Sequence, residues 1–377
     1  MNQDADHNAS KNPSDLALAV KSFLAIAFTL VSLGGAFAQQ DELYFERQIA
    51  PGVVHHFERT TSPPLAIHLV EIDFREASVS VEAVKGEGAL FGGETVLEMS
   101  ERFDREGRRP LVLINADFFE PDYSPTGPFV ADGNIWKGPS TVAGLTPGVT
   151  RATLVKTREG AFNILRPQWN ITLNADPGES LNIDRINFPE TAAETTLYTS
   201  AFGERTAPLL RGQRQLTMSN GGRDFLPNAP LTVRVNGIGP GPTHALSSDM
   251  FVLHVPTPLP AWLKADEAYT LDARVENAEG VVDWMVGGLP FLVKSGVAAP
   301  EIFAAEEGLP ERVVTMKHPR SAVGLRNDGR EMVLVAIDGR QESSEGMTLP
   351  DLAEYLKNLG CEEAMNLDGG GSTTLVV

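Results

Sequence analysis

The sequence predicts an α+β fold: a single mixed domain, rich in short β-strands with a few amphipathic helices. Three observations carry this expectation. Apolar residues alternate over short segments, the period-2 signature of half-buried strands. Two threonine-led capping signatures each open a helix with one apolar face. Finally, 35 glycines and 26 prolines in 377 residues punctuate the chain with turns. A composition of 42% hydrophobic and 21% charged residues suits a packed core.

Taken in order, residues 1–38 read as a secretory signal peptide. The apolar run Phe23 to Leu33 follows Lys11 and Lys21 and precedes Ala36-Phe37-Ala38, a small-x-small cleavage pattern. Leu16 to Val20 would lengthen the run into an uncleaved anchor if cleavage fails. The expected location is secreted or periplasmic. Residues 39–50 are expected as an N-terminal extension and 51–377 as the folded domain. Ala66 to Ile72 and Ser78 to Val84 alternate and are expected to pair as strands. Thr95-Val96-Leu97-Glu98 is a capping box that opens a helix with Val96, Met99 and Phe103 on one face and Gly107 as its stop. The strand Leu111 to Ile114 follows and ends in Asn115-Ala116-Asp117. Short strands at Leu197-Tyr198, Leu231 to Val235 and Met250 to Leu253 fill the middle, where Pro256 to Pro260 is the best candidate boundary but no long linker divides the chain.

The arrangement then returns. Thr348 to Asp351 is again a capping box, with Leu352, Leu356 and Leu359 on one helical face, Gly360 as the stop, and a strand leading to Asn366-Leu367-Asp368. Either a duplicated half-domain or coincidence explains two units that both finish in Asn-x-Asp. If duplicated, their strand ends lie side by side and bring four polar side chains into one crevice.

Charge and cysteine content exclude several functions. A formal charge of −19 opposes a general nucleic-acid binder and leaves no membrane partner beyond the signal anchor. The single cysteine, Cys361, makes an internal disulfide or a thiolate zinc site impossible, and its position between helix and strand reads as a small buried residue.

Two segments carry chemistry. In Asn366-Leu367-Asp368-Gly369-Gly370-Gly371-Ser372-Thr373-Thr374, three consecutive glycines permit positive φ and close backbone approach. Their N–H groups are suited to an anion nest, and the hydroxyls of Ser372 and Thr373 add donors. A tight strand-to-strand turn is the structural alternative. No lysine follows, so this is no Walker loop, and Gly-x-Ser-x-Gly is absent, which disfavours a serine hydrolase built on Ser372. The second segment holds Arg312, Lys317, Arg320, Arg326, Arg330 and Arg340, a basic island in an acidic chain. Arg320 and Arg340 flank apolar strands and are read as phosphate clamps, Arg326 and Arg330 as solvated.

These motifs resemble the phosphodiester glycosidases. The likeness rests on Asn115 with Phe118-Phe119, Asn182 with Arg185 before Leu197-Tyr198-Thr199 and Gly203, and Gly287-Gly288-Leu289-Pro290. It continues through Arg320 to Gly324, Asp338-Gly339-Arg340, Gly346 to Leu349 and Asn366 to Thr374. The resemblance implies a mixed α+β domain that cleaves between a sugar C1 and a phosphodiester, releasing free sugar and a phosphomonoester. The implied partner is a sugar-1-phosphodiester or a phosphate-linked surface glycan. The sequence departs from the pattern at Asp117, often glycine in the family and so not carried over as catalytic, and at Ser321, more usually threonine. The family usually continues beyond the point corresponding to Val377, which leaves a truncated end or dispensable last strands as alternatives.

Because a phosphate leaves with little protonation at neutral pH, charge stabilisation outweighs a general acid. Arg320, Arg340, Gly369, Gly370, Gly371 and Ser372 are therefore assigned to the phosphate. Asp368 or Asp338 is the base or oxocarbenium stabiliser, and Asn115 and Asn366 hold sugar hydroxyls or water. Phe118 and Thr373 complete the substrate-binding set. No cofactor is expected; a divalent cation on Asp338 and Asp368 is the alternative. His55 and His56 point to opposite faces of a strand and form no site. The competing function is a non-catalytic cell-surface glycan-binding or exopolysaccharide-assembly protein.

Overall fold

Alternation along Pro64–Asp73 sends Ile67 and Leu69 to one face and Val70 and Ile72 to the other, and both sets are buried. The strand therefore needs cover on both sides. A computed structural model describes residues 43–139, 150–175, 178–188, 191–241 and 243–377 and provides that cover. The expected signal peptide lies outside these residues. Among the described residues, no helix is long and apolar enough to cross a membrane.

Pro64–Asp73 sits inside an eight-stranded sheet that joins the two ends of the described chain. Leu43–Ala50, Val53–Thr61 and Pro64–Asp73 form an antiparallel meander, and Pro64–Asp73 then pairs with Glu331–Ile337. Arg320–Arg326, Glu363–Asn366, Phe291–Lys294 and Val297–Ala298 continue the sheet. The stretch read as an extension thus contributes the edge strand.

Helices cover one face. Leu349–Asn358 buries Leu349, Leu352, Ala353 and Leu356 against Ile67, Val333, Val335 and Ile337. Thr348 caps it by accepting from Asp351 N–H at 3.2 Å, and Gly360 at φ +85° follows its end. The other face packs Val70, Ile72, Met332 and Leu334 against Leu154, Phe162, Ile164 and Trp284 of a five-stranded sheet. That sheet is buried on both sides: Val130, Val155 and Met285 face a second eight-stranded sheet instead. The layers run helices, sheet, sheet, sheet. Glu307 ties two of them together, its fully buried carboxylate accepting from Ala152 N–H and Phe291 N–H at 3.1 Å each and pairing with Arg166 at 2.8 Å.

The first capped helix forms as Val96–Arg105, with both halves of the Thr95/Glu98 capping box present. One strand expectation is corrected. Ser78 to Val84 adopts no strand, because both edges of Pro64–Asp73 are taken by Val53–Thr61 and Glu331–Ile337. Its apolar residues still pack, and Trp284 Nε1–H donates to the Val81 carbonyl at 2.9 Å. Cys361 is buried as expected, and burial pushes its thiol up to about 12.

Candidate active site

The candidate site gathers at one end of the first sheet, where Arg320–Arg326 begins and Glu331–Ile337 and Glu363–Asn366 finish. The two Asn-x-Asp ends meet there. Asp368 N–H donates to the Ala116 carbonyl at 2.8 Å, and Asn115 Nδ2 donates to the Asp368 carbonyl at 2.7 Å. Asn115 Oδ1 accepts from Ser321 Oγ at 2.7 Å and from Thr374 N–H at 3.0 Å. Asn115 is thus a clasp between three segments, and the hydrogen-bonding capacity expected for a sugar hydroxyl is largely engaged by protein.

The glycine bend follows. A Cβ on Gly369 would lie 2.8 Å from the Pro319 carbonyl oxygen, and Gly370, at φ +63°, lies against the Arg340 guanidinium, 3.1 Å from where its Cβ would be. The fixed carbonyl excludes a side chain at Gly369, the left-handed φ disfavours one at Gly370, and Gly371 borders open space. The expected anion nest is not open at its start. Gly369 N–H donates to Asp368 Oδ1 at 2.8 Å and Gly370 N–H to the Pro319 carbonyl at 2.9 Å. Gly371 and Ser372 line a cavity of about 860 Å³ together with Asn115, Asp117, Phe118 and Asp368.

Strand alternation separates the two arginines. Ser321 faces the Asn115 clasp, so Arg320 turns to the helical face, where it is 3% exposed. Its Nε donates to the Met347 carbonyl at 3.0 Å, and Nη2 donates to the Val313 and Met316 carbonyls at 3.0 and 2.9 Å. The fork expected at the phosphate instead fastens backbone. Burial and neighbouring Arg340 lower its pKa to about 10. Arg340 is exposed, holds φ +59°, and donates from Nη2 to His318 Nδ1 at 3.2 Å. Burial, Arg320 and Arg340 push His318 down, so it stays a neutral acceptor.

The aspartates also part. Asp368 is half-buried; burial raises its carboxyl, partly offset by hydrogen bonds from Ser372 and Gly369. Asp338 is exposed beside His68 in a separate groove lined by Phe57 and Ser343, and does not line the large cavity. Asn366 is buried, donates to the Leu289 carbonyl at 2.6 Å, and also does not line that cavity. Thr373 Oγ1 is buried without a partner.

Sequence reasoning set Asp117 aside, yet it lines the cavity. Its carboxylate accepts from Gly127 N–H at 2.7 Å and from Thr126 Oγ1 at 3.3 Å. Burial raises its pKa against the pull of Arg151 and Lys137. The likeness of the two Asn-x-Asp units was the signal that pointed to it. Arg326, expected as solvated, pairs with Glu71 at 2.9 Å and Glu331 at 2.7 Å. Among the described residues, no group of three or more His, Cys, Asp or Glu is arranged to hold a metal ion.

The bend thus carries Asp368 and Ser372 two residues either side of Gly370, which lies against the Arg340 guanidinium, and it falls within the stretch that comparison with known proteins matches. Residues 259–377 match the family model described as Phosphodiester glycosidase. This part of the chain is similar to that family. The N-acetylglucosamine-1-phosphodiester alpha-N-acetylglucosaminidase of Bos taurus is 35% identical over 103 residues, which cover 27% of this chain and 19% of that enzyme. The chain spans a fifth or less of the length of the curated relatives it matches. Among solved structures, a hypothetical protein from Synechocystis is similar with a TM-score of 0.68 and 20% identity, over 89% of this chain and 59% of that one. An exported-protein candidate from Burkholderia pseudomallei is similar with a TM-score of 0.61 and 20% identity, over 85% and 72%. At these identities the structures share a fold. It is the strand-rich, mixed α+β fold that the sequence predicts.

Proposed function

We propose that this protein is an exported glycosidase that hydrolyses the bond between a sugar C1 and a phosphodiester. One observation carries the reading. The bend at residues 369–372 has the Arg340 guanidinium against Gly370 on one side, and the Asp368 carboxyl with the Ser372 hydroxyl along the cavity on the other.

The phosphate oxygens lie against Arg340, whose planar fork suits them. The C1–O bond breaks with its electron pair remaining on the phosphate, and Arg340 stabilises the added charge. Asp368 accepts a proton from the water that attacks C1, a role served by a carboxyl whose pKa burial has raised. Asp117 is a further carboxyl on the cavity, available to stabilise positive charge on the sugar. Export is supported by the leader pattern of residues 1–38 and by the likeness to the Burkholderia protein.

The test is incubation of the purified protein with a chromogenic sugar-1-phosphodiester and, separately, with a plain aryl glycoside. Turnover of the phosphodiester alone is the expected result. Turnover of the aryl glycoside alone overturns the phosphate role, and glycan binding without turnover of either supports the non-catalytic reading instead.

A further inference from the structure

Phe119 and Tyr123 are each 51% exposed, in a chain whose large aromatic side chains are mostly buried. Their rings stack with centroids 5.6 Å apart and planes 22° from parallel. Both line the cavity that holds Asn115, Asp368 and Ser372, so their exposure puts them at its opening. The pair is held by its surroundings. Phe119 bridges to Pro125, Glu120 N–H donates to the Ser124 carbonyl at 2.9 Å, and Tyr123 N–H donates to the Glu120 carbonyl at 2.8 Å. Tyr123 occupies the left-handed region at φ +63°. Gly93 provides the floor: a Cβ there would lie 2.7 Å from the Tyr123 ring.

We propose that Phe119 and Tyr123 form a stacking platform for the pyranose ring of the ligand, ahead of the chemistry at Asp368. A pyranose presents a face of axial C–H bonds that is apolar and slightly positive, complementary to the negative face of an aromatic ring. Its hydroxyls remain at the rim for water or polar groups. Two adjoining rings offer a rigid surface, since each aromatic side chain has few torsions to lose on binding. The proposal rests on the glycosidase reading for the class of ligand. It adds that the sugar, rather than the group beyond the phosphate, occupies the cavity mouth, because Arg340 does not line that cavity.

The test is saturation-transfer NMR with free glucose and free N-acetylglucosamine, which needs no turnover. Wild-type protein is expected to transfer saturation to the ring C–H protons of at least one sugar. Phe119→Ala with Tyr123→Ala should abolish that transfer, and Tyr123→Phe should preserve it. Melting curves check that the variants fold. In the turnover assay, the alanine variants should raise KM about tenfold and lower kcat by less, the pattern of lost ground-state binding. Transfer that persists in the double variant, or that is absent from the wild type, overturns the platform. Transfer that depends on the pair in a protein without turnover leaves the platform standing and removes the glycosidase reading. Turnover whose KM is unmoved in the double variant does the reverse.

Discussion

The two Asn-x-Asp units share a local pattern and differ in what surrounds them. Each begins with a threonine cap, runs through a ten-residue helix and ends at the site. Glu363–Asn366 is an interior strand of an eight-stranded sheet, and its helix buries four residues in the core. Among the described residues Leu113–Ile114 pairs with Leu375–Val376 alone, and its helix buries Met99 and Phe103. Asn115 clasps the site together, whereas Asn366 reaches away to the Leu289 carbonyl. Similar sequence therefore yields one unit that anchors and one that closes over the anchor.

The comparison breaks most readily at the aspartates. Asp368→Asn is expected to lower turnover about a thousandfold, the scale of losing one well-placed group in a transition state. Asp117→Asn should lower it less. Equal losses in steady-state assays would make the two units chemically equivalent.

Packing gives the next contrast. Leu356→Ala should cost about 2–5 kcal/mol in denaturant unfolding, because Leu356 is fully buried. Met99→Ala, in a smaller cluster, should fall at or below the lower end of that range.

The arginines sharpen the division between scaffold and site. Arg340→Ala should reduce turnover about a hundredfold, roughly 2.7 kcal/mol, with little change in melting temperature. Arg320→Ala leaves the Met347, Val313 and Met316 carbonyls without their guanidinium donor and should lower stability by about 1–3 kcal/mol. A variant at Arg320 that melts normally yet loses turnover would return that residue to the phosphate.

The smallest effect concerns pH. A carboxyl whose folded pKa is raised binds its proton more tightly in the native state than in the unfolded one. Stability therefore falls as pH rises from the ordinary aspartate range toward the raised Asp368 value. Asp368→Asn should remove this decline and melt slightly higher than wild type at neutral pH. The acid limb of the turnover profile should lie above about 3.9, the ordinary aspartate value.

Local rules made much of this legible. Caps, helical faces and strand alternation carried both helix–strand units, and the glycine run marked the bend. Ser78 to Val84 carries a strand pattern with no free edge to join, which depends on partners more than two hundred residues away. The direction of Arg320 depends on register: one residue decides whether a side chain faces Asn115 or the helices. The approach of Arg340 to Gly370 joins segments that no local pattern connects.

The sheet order bears on how this molecule can be dissected. The stretch that carries the family likeness, residues 259–377, contains Arg340, Asp368 and Ser372 but neither Asn115 nor the three N-terminal strands. Cut out by itself, that piece would expose the unsatisfied flank of Glu331–Ile337 to any strand in solution and would lack the amide that pins the bend. Homology marks a portion of this protein that is not a portable module, and mutagenesis or crystallisation should begin from the longer chain.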